Sequence, residues 1–277
     1  MNPSPGDLIH FTPGLHLLAG PPGIGTSSLA HQLALEAAQA GLETLYLAPE
    51  HAAAQTRLMH LAQLSGIPLN QLHRMTPATP LDPDVRRRLS AAAEQLYNSG
   101  LPLRRLDGRQ AKETLQDLLG GRLRLPELLL LDRLEDTPVS SNHTFQPSSI
   151  TEYQERERQR WITLTARLQT LALQWAIPVI ATTRCQMQDA ATPQLADLSA
   201  LRIGQQAAAE ATSVTFLHRE RYYQNTDRDL AELICLKGTG LLWNYAEFNP
   251  ECATFHPQPQ AARLPHGHAP SSGKMKQ

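Results

Sequence analysis

The segment Gly20-Pro21-Pro22-Gly23-Ile24-Gly25-Thr26-Ser27-Ser28 leaves this chain few folds to choose from. The short apolar run Leu15–Ala19 precedes it, and Leu29, Ala30, Leu33 and Ala34 follow at helical spacing. That order predicts a buried strand, a glycine-rich loop and a helix, the layout of a phosphate-binding loop. Glycines let backbone N–H groups close around an anion, and the helix aims its positive end at it. The consensus for such a loop is G-x-x-x-x-G-K-[ST]. Gly20 and Gly25 frame it here, and Ser27 takes the place of the magnesium-binding hydroxyl. Thr26 stands where the lysine is expected. The loop is built to hold a phosphate but lacks the residue that neutralises the β- and γ-phosphates. A plain turn between strand and helix needs neither both framing glycines nor the serine at that spacing.

A chain of 277 residues with 41% hydrophobic content has room for one large α/β domain. A formal net charge of −1 gives no global electrostatic reason to seek nucleic acid or an anionic membrane. The three cysteines, Cys185, Cys235 and Cys252, show no C-x-x-C spacing, which argues for a reducing compartment and against a disulfide framework. Met1–Phe11 does not read as a signal peptide, and no apolar run approaches the roughly 20 residues that cross a bilayer. The expected location is therefore the cytoplasm, with no membrane partner.

Along the chain, Met1–Pro13 reads as a lead-in, residues 14–255 as the folded domain, and His256–Gln277 as a disordered tail rich in Pro, Gln, Ser and Gly. Further strands are expected at Glu43–Ala48, Leu101–Leu106, Glu127–Leu131, Ile177–Thr182, Thr212–His218, Leu230–Lys237 and Leu241–Phe248. Helices are expected at His51–Leu64, Asp84–Tyr97, Ala111–Leu119 and Thr151–Trp175, the last with Leu164, Leu168, Leu171 and Trp175 on one side. Strands alternating with helices imply a parallel sheet, and the final strands imply an antiparallel meander on its edge.

The order of parts is similar to the RecA-like motor domain of DnaB-type replicative helicases, with the RadA and KaiC branch of the same superfamily as the alternative. In the DnaB-type family a strand ends in a catalytic glutamate followed by a glutamine, and T-L-Y-L-A-P-E-H-A-A-A-Q places Glu50 and Gln55 there. The family's magnesium-site aspartate ends a strand, and L-L-L-L-D-R-L gives Asp132. A γ-phosphate-sensing strand matches I-P-V-I-A-T-T-R, ending in Thr183 and Arg184, and a later segment matches F-L-H-R-E-R-Y-Y, Phe216–Tyr223. The resemblance implies a RecA-like P-loop NTPase fold with ATP or ADP bound along Gly20–Ser28. It places Mg²⁺ on Ser27 and Asp132, and catalytic roles on Glu50, Asp132 and Arg184. This chain departs from the family pattern in Thr26, in Arg184 for glutamine, and in K-G-T-G for K-Q-R. In that last segment Lys237 survives and the arginine finger does not.

Phosphoryl transfer depends on placement and charge neutralisation, so these losses imply weak or absent hydrolysis. Arg184 and Arg133 both lie at strand ends near the crevice, where they read either as cations standing in for the lysine or as ordinary solvated or salt-bridged residues. The loops that meet DNA in the family correspond to Thr137–Ser149, which holds no Lys or Arg, and Gln186–Gln206, which holds only Arg202. Arg156, Arg158 and Arg160 alternate with Glu155 and Glu157, the pattern of a solvated helix face. Single-stranded DNA is thus a weakly supported partner. Two readings stay open: a nucleotide-binding helicase relative in replication or repair, with a homo-oligomer or a replication or repair protein as partner, and a non-enzymatic module that regulates or scaffolds through protein contacts.

Overall fold

The computed structural model describes residues 12–49, 53–76, 80–98, 100–137, 149–185, 197–219, 221, 229–238 and 245–258. Strands β1 (Gly14–Gly20), β2 (Thr44–Ala48), β3 (Leu103–Asp107), β4 (Leu128–Leu131), β5 (Pro178–Arg184), β6 (Ser213–Arg219), β7 (Leu230–Lys237), β8 (Tyr245–Asn249) and β9 (Thr254–Pro257) join in one sheet. Their order is β3-β2-β4-β5-β1-β6-β7-β8-β9. Pairing is parallel from β3 to β6 and antiparallel from β6 to β9. This is the expected α/β architecture, a mostly parallel sheet with a terminal meander. The buried runs at Leu15–Ala19, Leu45–Ala48, Leu128–Leu131 and Val179–Thr182 lie side by side at its centre.

The alternation of side chains along a strand explains why those central strands carry apolar residues at successive positions. Leu129 and Leu131 of β4 face one layer, built from α5 (Gly108–Leu119), α6 (Ile150–Gln174) and α7 (Gln205–Ala209). Leu128 and Leu130 face the other layer, where α1 (Thr26–Gln39) packs together with β8 and β9. A satellite cluster joins α2 (Ala53–Ser65), α3 (Leu69–Arg74) and α4 (Pro83–Tyr97) through Ala62, Leu72 and Leu89.

Three details differ from the sequence expectations. The proline-broken stretch after Gly66 contains the short helix α3, whose first turn needs no N–H from Pro68. Trp175 does not join Leu164, Leu168 and Leu171 in the core. It sits in the C-cap position of α6 with 53% of its surface exposed, past the last turn that faces the sheet. His256 and Pro257 belong to β9, so the sheet takes in the first two residues of the stretch expected as tail.

Because β1, β2, β4 and β5 run parallel, their carboxyl ends lie along one edge of the sheet. In open α/β sheets ligands bind in the crevice outside those ends. Gly20, Asp132 and Arg184 all lie there.

Candidate functional site

The loop after β1 adopts the conformation that its glycines and prolines dictate. Gly23 and Gly25 have φ of 83° and 113°, in the left-handed region that favours glycine. A side chain at Gly20 would press its Cβ to 2.7 Å from Ile24 Cγ2. The Ile24 N–H donates to the Pro21 carbonyl at 3.2 Å, closing the turn, and Ile24 is fully buried beneath it. Pro22 and Gly23 are exposed, while Gly25, Thr26 and Ser27 are half-buried and Ser28 is buried. Gly25 is the N-cap of α1, so no side chain caps the helix, and its first turn carries no acidic residue. The positive end of the helix dipole therefore opens on the loop without a compensating group from the helix itself.

Ser27 does not serve as the cap. Its hydroxyl donates to Asp132 Oδ1 at 2.9 Å. Asp132 follows β4 directly and is 1% exposed. The same oxygen accepts from the Thr182 hydroxyl at 2.7 Å, and Oδ2 accepts from the Tyr46 hydroxyl at 2.8 Å. Burying a carboxylate is tolerable only with such donors around it. A serine hydroxyl touching an oriented carboxylate is a hard-oxygen pair of the kind Mg²⁺ takes together with nucleotide phosphates. The residues present thus fit that cation.

The two candidate cations separate. Arg133 has φ of 76°, its N–H donates to Thr182 Oγ1 at 2.8 Å, and its guanidinium pairs with Asp136 at 3.2 Å. Arg184 ends β5 beside Gly20 and is half-buried. Among the described residues its guanidinium has no ion-pair or hydrogen-bond partner. Gln55 is exposed on α2, and Glu50 lies outside the described residues.

The match of a family model settles the ancestry: residues 10–241 match the model of the DnaB-like helicase C terminal domain. The chain belongs to that family. A search of curated proteins finds no significant match. Among solved structures, the chain is similar to an ATPase domain, with a TM-score of 0.67 at 16% identity over 89% of this chain and 85% of that one. It is also similar to a DnaB-like replicative helicase solved for its interactions with primase, with a TM-score of 0.68 at 17% identity. That match covers 87% of this chain and 58% of the helicase. At such identities the structures show the RecA-like fold alone.

Within this DnaB-like domain, Lys237, the surviving residue of the K-G-T-G segment, is turned inward. Its ammonium donates to the carbonyls of Ala209 and Ala211, at the end of α7. Free carbonyls at a helix end attract a cation. The family's DNA-facing loops fall largely outside the described residues. On α6 Arg156 pairs with Glu152 and Arg160 with Glu157, but Arg160 is half-buried and also donates to the Thr137 carbonyl, so this end of the run is not the solvated face that the alternation of charges suggested.

Two roles escaped the sequence reading, although the first residue lies in the matched segment Phe216–Tyr223. Arg219, at the end of β6, is held by Asp229 through Nε at 2.8 Å and Nη2 at 2.5 Å, and its Nη1 donates to the Ile24 carbonyl at 2.7 Å. It lies 3.9 Å over the Phe248 ring. Arg219 therefore pins the loop from below; its aspartate partner stands ten residues on, beyond any local pattern. Glu135 accepts from the Thr183 hydroxyl and from the Arg184 N–H, fixing the end of β5, and burial raises its carboxyl above the usual range. A lone glutamate after an apolar strand carries no signal of that role.

Proposed function

We propose that this DnaB-like domain binds ATP or ADP with Mg²⁺ and turns ATP over slowly or not at all, in a cytoplasmic replication or repair setting. The observation that carries this reading is the Ser27–Asp132 hydrogen bond at the head of the uncapped helix α1. It joins a phosphate-binding element to an oriented carboxylate in the absence of a lysine between them. Bound Mg²⁺ would supply charge neutralisation between the phosphates. The chain's own part is to orient: Gly20–Ser28 wraps the phosphates, Ser27 and Asp132 hold the cation, and Arg184 at the end of β5 offers a guanidinium that has no partner among the described residues. Glu50 is proposed to orient the attacking water.

The partners follow the same logic. A homo-oligomer or a replication protein is the proposed partner, in keeping with the helicase structure solved for its interactions with primase. Single-stranded DNA is disfavoured by the weakly basic loops. The second reading, a non-enzymatic scaffold or regulator, draws on Lys237, whose ammonium is spent on carbonyls of its own chain.

Calorimetric titration with Mg-ATP and Mg-ADP separates the two. Saturable binding is the expected result, and no binding at millimolar nucleotide would leave the scaffold reading. Phosphate release should stay near background with and without single-stranded DNA. Robust DNA-stimulated release would overturn the weak-turnover reading and direct attention to Arg184.

A further inference from the structure

Asp132 is the end of a longer polar file. Its Oδ2 accepts from Tyr46, because a carboxylate has no proton to give. The Tyr46 oxygen then accepts from His31 Nε2 at 3.0 Å. A neutral ring protonated at Nε2 has Nδ1 free to accept, and His31 Nδ1 faces His60 Nε2 at 2.9 Å. His60 Nδ1 in turn faces Arg105 Nη1 at 3.2 Å, and a guanidinium can only donate. Every link has one donor and one acceptor, and both ends set the same direction. The file runs through four elements: Arg105 on β3, His60 on α2, His31 on α1 and Tyr46 on β2.

The three middle side chains are buried to within 1% of completely. His31 stacks on Tyr46 with centroids 4.4 Å apart and meets His60 edge-on at 4.6 Å. Burial, with His31 and Arg105 alongside, holds His60 well below the usual imidazole range, which keeps its acceptor nitrogen bare. An apolar trio would fill this space without desolvating any polar group. The file instead begins at a cation and ends on the carboxylate that shares a hydrogen bond with Ser27. Chains of hydrogen bonds polarise one another in a low-dielectric interior.

We infer that Tyr46, His31, His60 and Arg105 form a positioning relay that fixes the Asp132 carboxylate for the nucleotide's cation, with Arg105 lending positive charge where Thr26 lends none. This rests on the nucleotide-binding reading above. These are positioning residues: they act on the cation through the Asp132 carboxylate.

Two measurements test it. Nitrogen NMR of the full chain at neutral pH, assigned with His31→Gln and His60→Gln, should show both rings neutral with the proton on Nε2. A proton on Nδ1 of either ring overturns the relay whatever the nucleotide does. Calorimetry then compares Mg-ADP with metal-free ADP. Arg105→Gln should weaken Mg-ADP binding about tenfold, the scale of outer-shell effects on metal sites, and leave metal-free ADP unchanged. Arg105→Lys should recover most of the loss, and in an Asp132→Asn background Arg105→Gln should change nothing. Arg105 is half-buried on an edge strand; if its variants misfold, Tyr46→Phe breaks the same file by one hydroxyl and should give the same pattern. Equal losses with and without metal, or an undiminished loss in the Asp132→Asn background, overturn the relay alone. A wild type that binds neither nucleotide form overturns the nucleotide reading and the relay's role with it.

Discussion

On the proposed nucleotide reading, Thr26 limits the strength of phosphate binding, because it brings no positive charge to a loop that keeps both framing glycines. Thr26→Lys should tighten Mg-ATP binding, read by calorimetry, yet phosphate release should remain slow. The family's arginine finger is still absent, and such a finger alone is worth about 10³–10⁵ in rate. Fast turnover by Thr26→Lys would show that the finger is dispensable here. Arg219 is the second residue on which the loop depends. Arg219→Met leaves Asp229, only 4% exposed, as a buried charge without its partner. Breaking such a pair costs about 3–5 kcal/mol, visible as a lower urea midpoint. Replacing both residues, Arg219→Met with Asp229→Leu, should recover most of that stability. It should not recover nucleotide affinity, since the Ile24 carbonyl has lost its donor; full recovery of both would show that Arg219 does not shape the loop.

Helix α1 is the element on which fold and site meet, and it was the most legible part of the sequence. Its apolar spacing and the glycines before it specify strand, loop and helix without reference to anything distant. The same holds for β4 and β5, whose continuous apolar runs read as buried parallel strands. What stayed illegible on these elements is what distant residues decide. Ser27 reads as the magnesium-type hydroxyl by spacing alone, and its bond to Asp132 appears only when β4 is placed beside the loop. His31 reads as a polar interruption of an apolar face until Tyr46 and His60 close around it. Glu36 is a further case. Burial lifts its carboxyl to about 7, against the lowering effect of the Gln32 amide that donates to it at 2.8 Å. In the unfolded chain it titrates near 4.5. Between those values the unfolded state has released a proton that the folded state still holds. Stability from this group is full below about 4.5 and is lost as pH rises through about 7. The urea midpoint should therefore fall over that window, and Glu36→Gln should flatten the fall. An unchanged slope in Glu36→Gln would assign the pH dependence to other groups.

At the scale of the whole molecule, the sheet's last strand reaches back to the phosphate loop. Composition alone placed the domain's end at residue 255, because His256 onward is short of the apolar residues that offset ordering entropy. The partner that recruits His256 and Pro257 is β8, only a short turn earlier in the chain, and a hairpin this close gains its last two residues by backbone pairing rather than by any apolar pattern of their own. Gln32 of α1 holds this strand with both ends of its amide, accepting from the Phe255 N–H at 2.7 Å and donating to its carbonyl at 2.8 Å. Phe255 is 1% exposed, with its ring 4.6 Å from that of Phe248. A Cβ on Gly25 would lie 3.1 Å from Phe255 Cζ, so the strand also backs the loop's second glycine. Two truncations follow with opposite outcomes. Ending the chain after Gln258 removes only residues outside that pairing and should leave the melting temperature unchanged. Ending it after Ala253 removes β9 and the buried Phe255 side chain. Deleting such a phenylalanine costs about 3–5 kcal/mol, or on the order of 10 °C for a domain of this size. Because Gly25 loses its backing, Mg-ADP affinity should fall in the same variant, measured at a temperature where it is still folded. Equal melting temperatures for the two truncations would mean that β9 does not hold the loop, and a stability loss with unchanged affinity would confine its role to the core.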